Sequence, residues 1–583
     1  MLGGRPPAQA DASPREPASG RLLQLTVDGV DVAVPDDGGS LLDLLRDRLG
    51  KRSVKDGCSP QGQCGCCTVW IDGQPRVSCV TAARRAAGRT VTTFDGVSQA
   101  VRDRWVDAFV ASGASQCGFC TPGIVMRLAA AVDPEVLGGD AGARRARRAP
   151  DATASGSADA GRDAVERALA AHLCRCTGWQ PIVDAARQAV AAATGPSPAP
   201  AERDLAAAAR RAAIEGGTAQ RVGTDVVCGR AGFAEDTAPE DALVAVLDAG
   251  GSWVVAESLA EARALAGKRQ GRNTTLAVTQ PLVPPDGVWD LVLATAFVEP
   301  AYLEPDASWC APGGEPATPL ANGGAFGGKR ASRAPAAARE LAQRHGRPVR
   351  VVLSREDVVR LGPKRPPIAA GVADGGRGVL RVARTPGGDL GGWSQAVASV
   401  APGLDVEVVE VPGPPVSAAL RGAGWVEAAV LLAGLAMRAD AKQAGGERSD
   451  AAGRWPAARV RSPAGSEATA SVAADGSIAI TIEAGAVLDE VVLRSYCVGA
   501  AHQALGWVRS EGVAVDHDGE VRDLTIRSFG VLPARSMPPV AVTVLDGDGP
   551  PVPGGDAVFA AVAAAAWAER GFAPAWPTDA VTR

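Results

Sequence analysis

A chain of 583 residues is long enough for about four domains, which excludes a peptide or a single small module. Sixty Lys and Arg stand against 65 Asp and Glu, a formal charge of -5 with no long basic stripe, so a nucleic-acid partner has no electrostatic support. The longest uninterrupted apolar run, residues 557–568, stops at Glu569, short of the roughly 20 residues a spanning helix needs.

Residues 1–20 lack the apolar core and the twin arginine of an export signal, and predict a disordered leader on a cytoplasmic protein. Residues 22–27 and 30–34 alternate around Asp28-Gly29 and predict a hairpin; Ser40 caps an amphipathic helix over 41–49. Two further strands, 67–71 and 76–80, meet across Asp72-Gly73 and complete a small β-rich domain over 21–96. Helical patterning over 105–111, 123–132, 164–173 and 181–193 predicts an all-α domain over 97–195. It is interrupted by an insertion, 133–161, whose Arg-rich and Ala/Ser/Gly/Asp-rich composition predicts disorder. Three prolines in 194–201 open a linker drawn over 196–220. Strand-like runs at 243–247, 349–353, 477–483 and 540–545, with helical runs at 335–345, 426–437 and 557–570, then predict mixed α/β structure, and 439–464 a loop.

Nine of the 12 cysteines lie between Cys58 and Cys176, a clustering that favours metal ligation over disulfides in a reducing compartment. Cys58, Cys64, Cys67 and Cys79 follow the spacing C-x5-C-x2-C-x11-C. That is one residue from the plant-type [2Fe–2S] run, in which a Gly-rich loop wraps the cluster and aims backbone N–H groups at its sulfurs. Zinc ribbons instead pair two short C-x2-C knuckles. Cys66 is left over and reads as a free buried thiol. The second quartet is Cys117, Cys120, Cys174 and Cys176, in two loops at helix ends that would face each other round one cluster.

At Gln116-Cys117-Gly118-Phe119-Cys120-Thr121-Pro122-Gly123 and Leu173-Cys174-Arg175-Cys176-Thr177-Gly178 the sequence resembles the xanthine dehydrogenase and aldehyde oxidase family of molybdenum hydroxylases. The resemblance implies a multidomain α+β fold: a β-grasp ferredoxin-like domain, an all-α four-helix [2Fe–2S] domain, then mixed α/β molybdopterin-type domains. His172 stands where that family typically has Asn and reads as a packed or capping residue. Residues 229–239 are similar to the entry of a hammerhead-like domain, drawn over 221–295, and 296–583 resemble a divergent molybdopterin-binding domain in patches that keep the family order. Among these are the Leu-Glu-Pro element at Leu303-Glu304-Pro305, the Gly-rich loop at residues 323–329 and Ala419-Leu420-Arg421-Gly422.

By resemblance, two [2Fe–2S] clusters are expected on the two quartets, and a molybdopterin contacted by Gln116, Gly324, Phe326, Gly327 and Arg421. The family's catalytic Glu is absent: Pro553-Gly554-Gly555-Asp556 stands there, and Asp556 reads as a shorter-reaching base or, preferably, as the N-cap of the next helix. A Gly-Gln-Gly segment is also missing, so a pterin is expected to be held weakly. No segment long enough for the family's flavin domain lies between Thr194 and Arg221, so FAD is not expected here and electrons would leave to an external acceptor or to a molybdenum or flavin partner subunit. Two functions follow. One is an oxidoreductase acting on a small molecule, an aldehyde or N-heterocycle, through two clusters; the other is an electron-transfer or assembly subunit whose catalytic centre sits on a partner chain.

Overall fold

The computed structural model describes residues 22–138, 158–195, 203–267, 271, 276–320, 325–443 and 455–579. The expected leader and Gly324 lie outside these residues. Near the N-terminus five strands form one sheet in the order Val30–Pro35, Leu22–Val27, Thr90–Thr92, Thr68–Ile71, Gln74–Val77. Both predicted turns are present, with Asp28 and Gly29 at φ 51° and 82° and Asp72 and Gly73 at 49° and 73°, the left-handed pair that a two-residue hairpin requires. Ser40 and Asp43 close a reciprocal capping box, and the helix Leu41–Asp43 runs on into a wider turn, Leu44–Arg48, whose leucines pack under the sheet against Leu23, Leu25 and Val69.

The next unit packs Gln99–Ala111, Thr121–Val132, Ala158–Leu169 and Gln180–Thr194 around Trp105, Phe109, Ile124, Leu169 and Ile182. Here the structure corrects the expected insertion. Asp133 is fully buried, accepts the Trp105 indole N–H at 2.7 Å, pairs with Arg104 and caps the short helix Pro134–Gly138. Helix Ala158–Leu169 takes in the other end, so the expected disorder falls only on residues 139–157, which are outside the described ones.

The expected linker is corrected too. Residues 205–216 form a helix, with Asp204 accepting the N–H groups of Ala206 and Ala207 and Gly217 closing it at φ 65°. Asp before an Ala-rich run and Gly after it is a sufficient helix signal; the upstream prolines concealed it. Ala208 and Ala212 pack on Val492 and Tyr496.

Two sheets divide the region read as hammerhead-like differently from the drawn boundary. Trp253–Ala256, Leu243–Leu247, Val349–Val352 and Ala307–Cys310 form one sheet, while Leu291–Thr295 joins Leu404–Glu410, Arg377–Arg384, Ile368–Ala373 and Ala575–Trp576 in another. Along Leu243–Leu247 alternate residues face helix Ala334–His345 on one side and Leu259–Ala266 on the other, as the strand's period of two dictates. The last sheet, Ala458–Arg461, Glu467–Val472, Ile478–Glu483, Val540–Leu545, carries the helix Gly555–Glu569, buried on every side, which is why its sequence is apolar all round. Against that helix lies Glu490–Arg509, which the sequence reading did not single out. No helix among the described residues is long and apolar enough to cross a membrane.

Two outcomes test this packing. Replacing Asp133 by Ala strands the Trp105 N–H and the Arg104 guanidinium, and should cost the helical unit about 2–4 kcal/mol in denaturant unfolding; Asn should cost less. His502, buried on Glu490–Arg509, is held neutral by burial, its pKa lowered from 6.5 to about 4. The unfolded chain therefore binds a proton that the folded chain excludes, so stability is present above pH 6.5 and falls as pH drops toward 4. The loss is on the order of 3 kcal/mol. Replacing His502 by Gln should flatten that part of the pH–stability curve.

Candidate redox site and its cavity

The first quartet lies in the loop between the helical turn and the strand Thr68–Ile71, with Cys79 in a tight turn, Ser78–Val80, after Gln74–Val77. All four thiols are buried. Cys58 Sγ accepts the backbone N–H groups of Gln63 and Cys64, each at 3.3 Å, the donor arrangement expected of a loop that wraps a cluster. Hydrogen bonds from Cys64 and Cys79 hold the Cys58 thiol well below its usual pKa, while the same contact and burial push Cys64 up. The thiols thus share protons that a bound cation would displace.

In the second quartet Cys117 and Cys176 approach to 3.6 Å and Cys120 faces Cys174. Cys174, bonded to Cys120 and to Thr177 Oγ1, is pulled down to about 6 while Cys120 is pushed up. Four thiols arranged as two pairs suit a two-iron cluster ligated by two sulfurs at each end. Among the described residues no three His, Cys, Asp or Glu side chains converge on a single ion. Two glycines let the cysteine loops pack directly on neighbouring backbone. Gly118 at φ 83° and Gly178 at φ 63° would each bring a Cβ to 2.4 Å from a carbonyl oxygen, of Val226 and Val498 respectively. His172 is packed, as expected: it is buried, with Nε2 at 3.5 Å from Thr68 Oγ1. Cys66 is fully buried between the quartets.

The two loops touch. Leu173 N–H donates to the Cys64 carbonyl at 3.0 Å, and Gly123, three residues after Cys120, abuts the carbonyls of Gly65 and Cys66.

On its other side the second quartet opens on a cavity of about 350 Å³. Cys117, Cys120 and Cys176 line it together with Gln116, Phe326, Gly327, Arg421 and Asp556, so every described residue nominated for the cofactor or as base meets in one place. The shortened sequence has not closed the pocket. Its wall is strained: Ala325, Phe326 and Arg421 all have positive φ, at 51°, 56° and 40°, and Arg421 N–H donates to Phe326 O at 3.2 Å. Gly327 lies so close to Ala419 that a Cβ would come 1.9 Å from its carbonyl. The Arg421 guanidinium sits over the rings of Phe326 and Phe559, both at 5.1 Å.

Asp556 is not the N-cap. It lies in the first turn and takes Arg421 Nε at 3.1 Å, whereas the N–H groups of Gly554 and Gly555 bind the carboxylate of Glu215, which arrives from helix Leu205–Gly216 and is itself paired with Arg211. Glu215 and Glu304 also line the cavity. Glu304 is paired with Lys329 at 2.6 Å, and burial raises its pKa to about 7. Sequence reading had no signal for Glu215, because its partner glycines lie more than three hundred residues away along the chain. The long helix Glu490–Arg509 was missed for a related reason: Ser495, Gly499 and Gln503 break its apolar pattern, and these residues serve the cysteine loop. Ser495 Oγ accepts from Gln116, Gly499 abuts the Cys176 carbonyl and Gln503 donates to the Arg175 carbonyl at 3.0 Å.

Gly118→Ala should therefore displace the second loop while leaving the first intact. The expected outcome is loss of about half the iron and of one of two paramagnetic signals in the reduced protein, measured by metal analysis and EPR.

Comparison with known proteins agrees with this geometry. Residues 25–91 match the 2Fe-2S iron-sulfur cluster binding domain and residues 93–187 the [2Fe-2S] binding domain. The chain is 36% identical over 151 residues to the nicotinate dehydrogenase small FeS subunit of Eubacterium barkeri, covering 26% of this chain and 82% of that one. It is 36% identical over 166 residues to the xanthine dehydrogenase iron-sulfur-binding subunit of Escherichia coli O157:H7, covering 28% and 89%. The aldehyde oxidoreductase of Megalodesulfovibrio gigas is 36% identical over 186 residues, 31% of this chain but only 18% of that longer protein. In fold, the solved aldehyde oxidoreductase from Desulfovibrio gigas superposes with a TM-score of 0.63 at 16% identity over 94% of this chain and 97% of that one. With two iron–sulfur domains, and with the two subunit relatives matched at 36% identity over most of their length, the chain belongs to the xanthine dehydrogenase and aldehyde oxidase family of molybdenum hydroxylases.

Proposed function

We propose that the chain is an oxidoreductase that takes electrons from a small molecule bound near the cavity and passes them through two [2Fe–2S] clusters. Cys117, Cys120, Cys174 and Cys176 ligate the proximal one and Cys58, Cys64, Cys67 and Cys79 the distal one. The single observation that carries this reading is the cavity itself, whose wall combines three cysteines of the second quartet with Gln116, Phe326, Gly327 and Arg421. The Leu173 to Cys64 hydrogen bond supplies a short polypeptide route from one quartet to the other.

A pterin-type group fits this wall. Arg421 offers a fixed cationic fork, and Gln116 stands beside Cys117, while Gly327 lets this wall pack directly on the Ala419 carbonyl. When bound, a molybdopterin would supply two-electron oxidation of an aldehyde or an N-heterocycle. Residues of this chain would do the rest: Arg421 orients the bound group and holds Asp556, and Glu304, with its pKa near neutrality, is placed to exchange a proton at the cavity wall. Electrons would leave from the first quartet to an external acceptor or partner subunit. The Eubacterium barkeri and Escherichia coli relatives carry names of subunits, which favours a partner. The alternative, an electron-transfer subunit with its catalytic centre on another chain, draws support from the same names and from the missing Gly-x-Gly-Glu carboxylate.

Metal analysis of the purified full chain separates these readings. Iron at two atoms per quartet with two distinct reduced EPR signals is the expected result; zinc in place of iron would sink both readings. Molybdenum together with a releasable pterin favours the enzyme, and iron alone the electron-transfer subunit. Cys120→Ser should remove one signal and Cys66→Ala should spare both.

A further inference from the structure

The turn Ile526–Phe529 crosses the outer face of the first cysteine loop. Gln61 is clasped by it, accepting the Ile526 N–H at 3.0 Å and donating to the Leu524 carbonyl at 3.2 Å. Arg527 reaches further. Its backbone N–H donates to Gln63 Oε1 at 3.2 Å, its Nε to the Gln63 carbonyl at 3.0 Å, and its Nη2 to the Ala170 carbonyl at 3.0 Å. Carbonyl oxygens fix a guanidinium in place without cancelling its charge. Among the described residues no carboxylate pairs with Arg527, and its Nε lies on the carbonyl of Gln63, the residue directly before the proposed ligand Cys64. By contrast, Arg175 and Lys55 carry their charges against Glu511 and Asp236.

Reduction adds one negative charge inside a ring of four thiolates, so a fixed cation beside that ring stabilises the reduced state more than the oxidised one. We propose that Arg527 raises the reduction potential of the cluster held by Cys58, Cys64, Cys67 and Cys79. The inference rests on the two-cluster reading above. Arg527 is a positioning residue for charge rather than a ligand. Because its outer side faces solvent, salt screens its effect.

The test is a mediated titration of the full-length holoprotein with dithionite, which donates single electrons, followed by EPR at low ionic strength. The signal lost in Cys79→Ser identifies the first cluster. R527Q, which removes the charge, should shift that midpoint to more negative potential and leave the second unchanged; R527K should stay near the unsubstituted protein. Raising the salt on the unsubstituted protein to about 1 M, where the screening length falls to about 3 Å, should move the same midpoint to more negative potential relative to that of the second cluster, which reports the screening of the protein's other charges. That series decides the matter even where R527Q loses its cluster. Two intact clusters whose midpoints ignore both the substitution and the salt overturn this inference alone, as does an equal shift of both midpoints. Absence of iron from the unsubstituted protein overturns the two-cluster reading and this inference with it.

Discussion

Arg175 lies between two cysteines of the second quartet, and its buried guanidinium forms a two-pronged pair with Glu511 at 2.5 and 2.6 Å while Nε donates to the Pro300 carbonyl. Through this one side chain the iron–sulfur part of the molecule is bound to two segments of the remainder. An ion pair out of water gains little net stability over a well-packed apolar pair, because desolvation offsets most of the attraction. Its value is geometric. A planar fork meeting a carboxylate fixes orientation as well as distance, and removing either partner would leave a buried charge uncompensated. The orientation it fixes is that of the Cys174–Cys176 loop toward the cavity.

Other buried groups bind the same seam. Gln503 donates to the Arg175 carbonyl, Arg355 reaches the carbonyls of Gly57 and Leu303, and the half-buried Arg203, paired with Asp489, donates to the Val110 carbonyl at 2.7 Å. The seam is polar because both sides present loop backbone, and loop carbonyls taken out of water need donors. Arginine, with five donors on a flat group, satisfies several of them at once. Strain gathers at the same place: the positive φ angles of Ala325, Phe326 and Arg421 sit on the cavity wall, where surrounding contacts hold conformations that an isolated chain would avoid.

Carboxylates from two elements meet at the start of the helix Gly555–Glu569. No Glu follows Gly555, yet the N–H groups of Gly554 and Gly555 still bind a carboxylate, that of Glu215 from a helix in the segment drawn as linker. Asp556, released from capping, pairs with Arg421 instead. A carboxylate at a helix N-terminus is favoured whichever element supplies it, since the unpaired N–H groups and the dipole act on charge and distance, not on chain position.

The sequence alone determined what is local. Hairpin turns at Asp28-Gly29 and Asp72-Gly73, the Ser40 cap, the four core helices of the second domain and both cysteine quartets depend on residues within a few positions of one another, or on motifs whose spacing is itself the chemistry. The family resemblance added Gln116, Phe326, Gly327, Arg421 and Asp556 as candidates, but could not say whether they meet. It took the folded chain to show that they line one cavity against the second quartet, that Glu215 and Glu304 join them, that Asp133 belongs to the core rather than to an insertion, and that Arg527 lies over the first loop. Each of these depends on contacts between residues far apart in the chain. Their stabilisation comes from burial and from pairing charges out of water, and neither leaves a periodic trace in the local sequence.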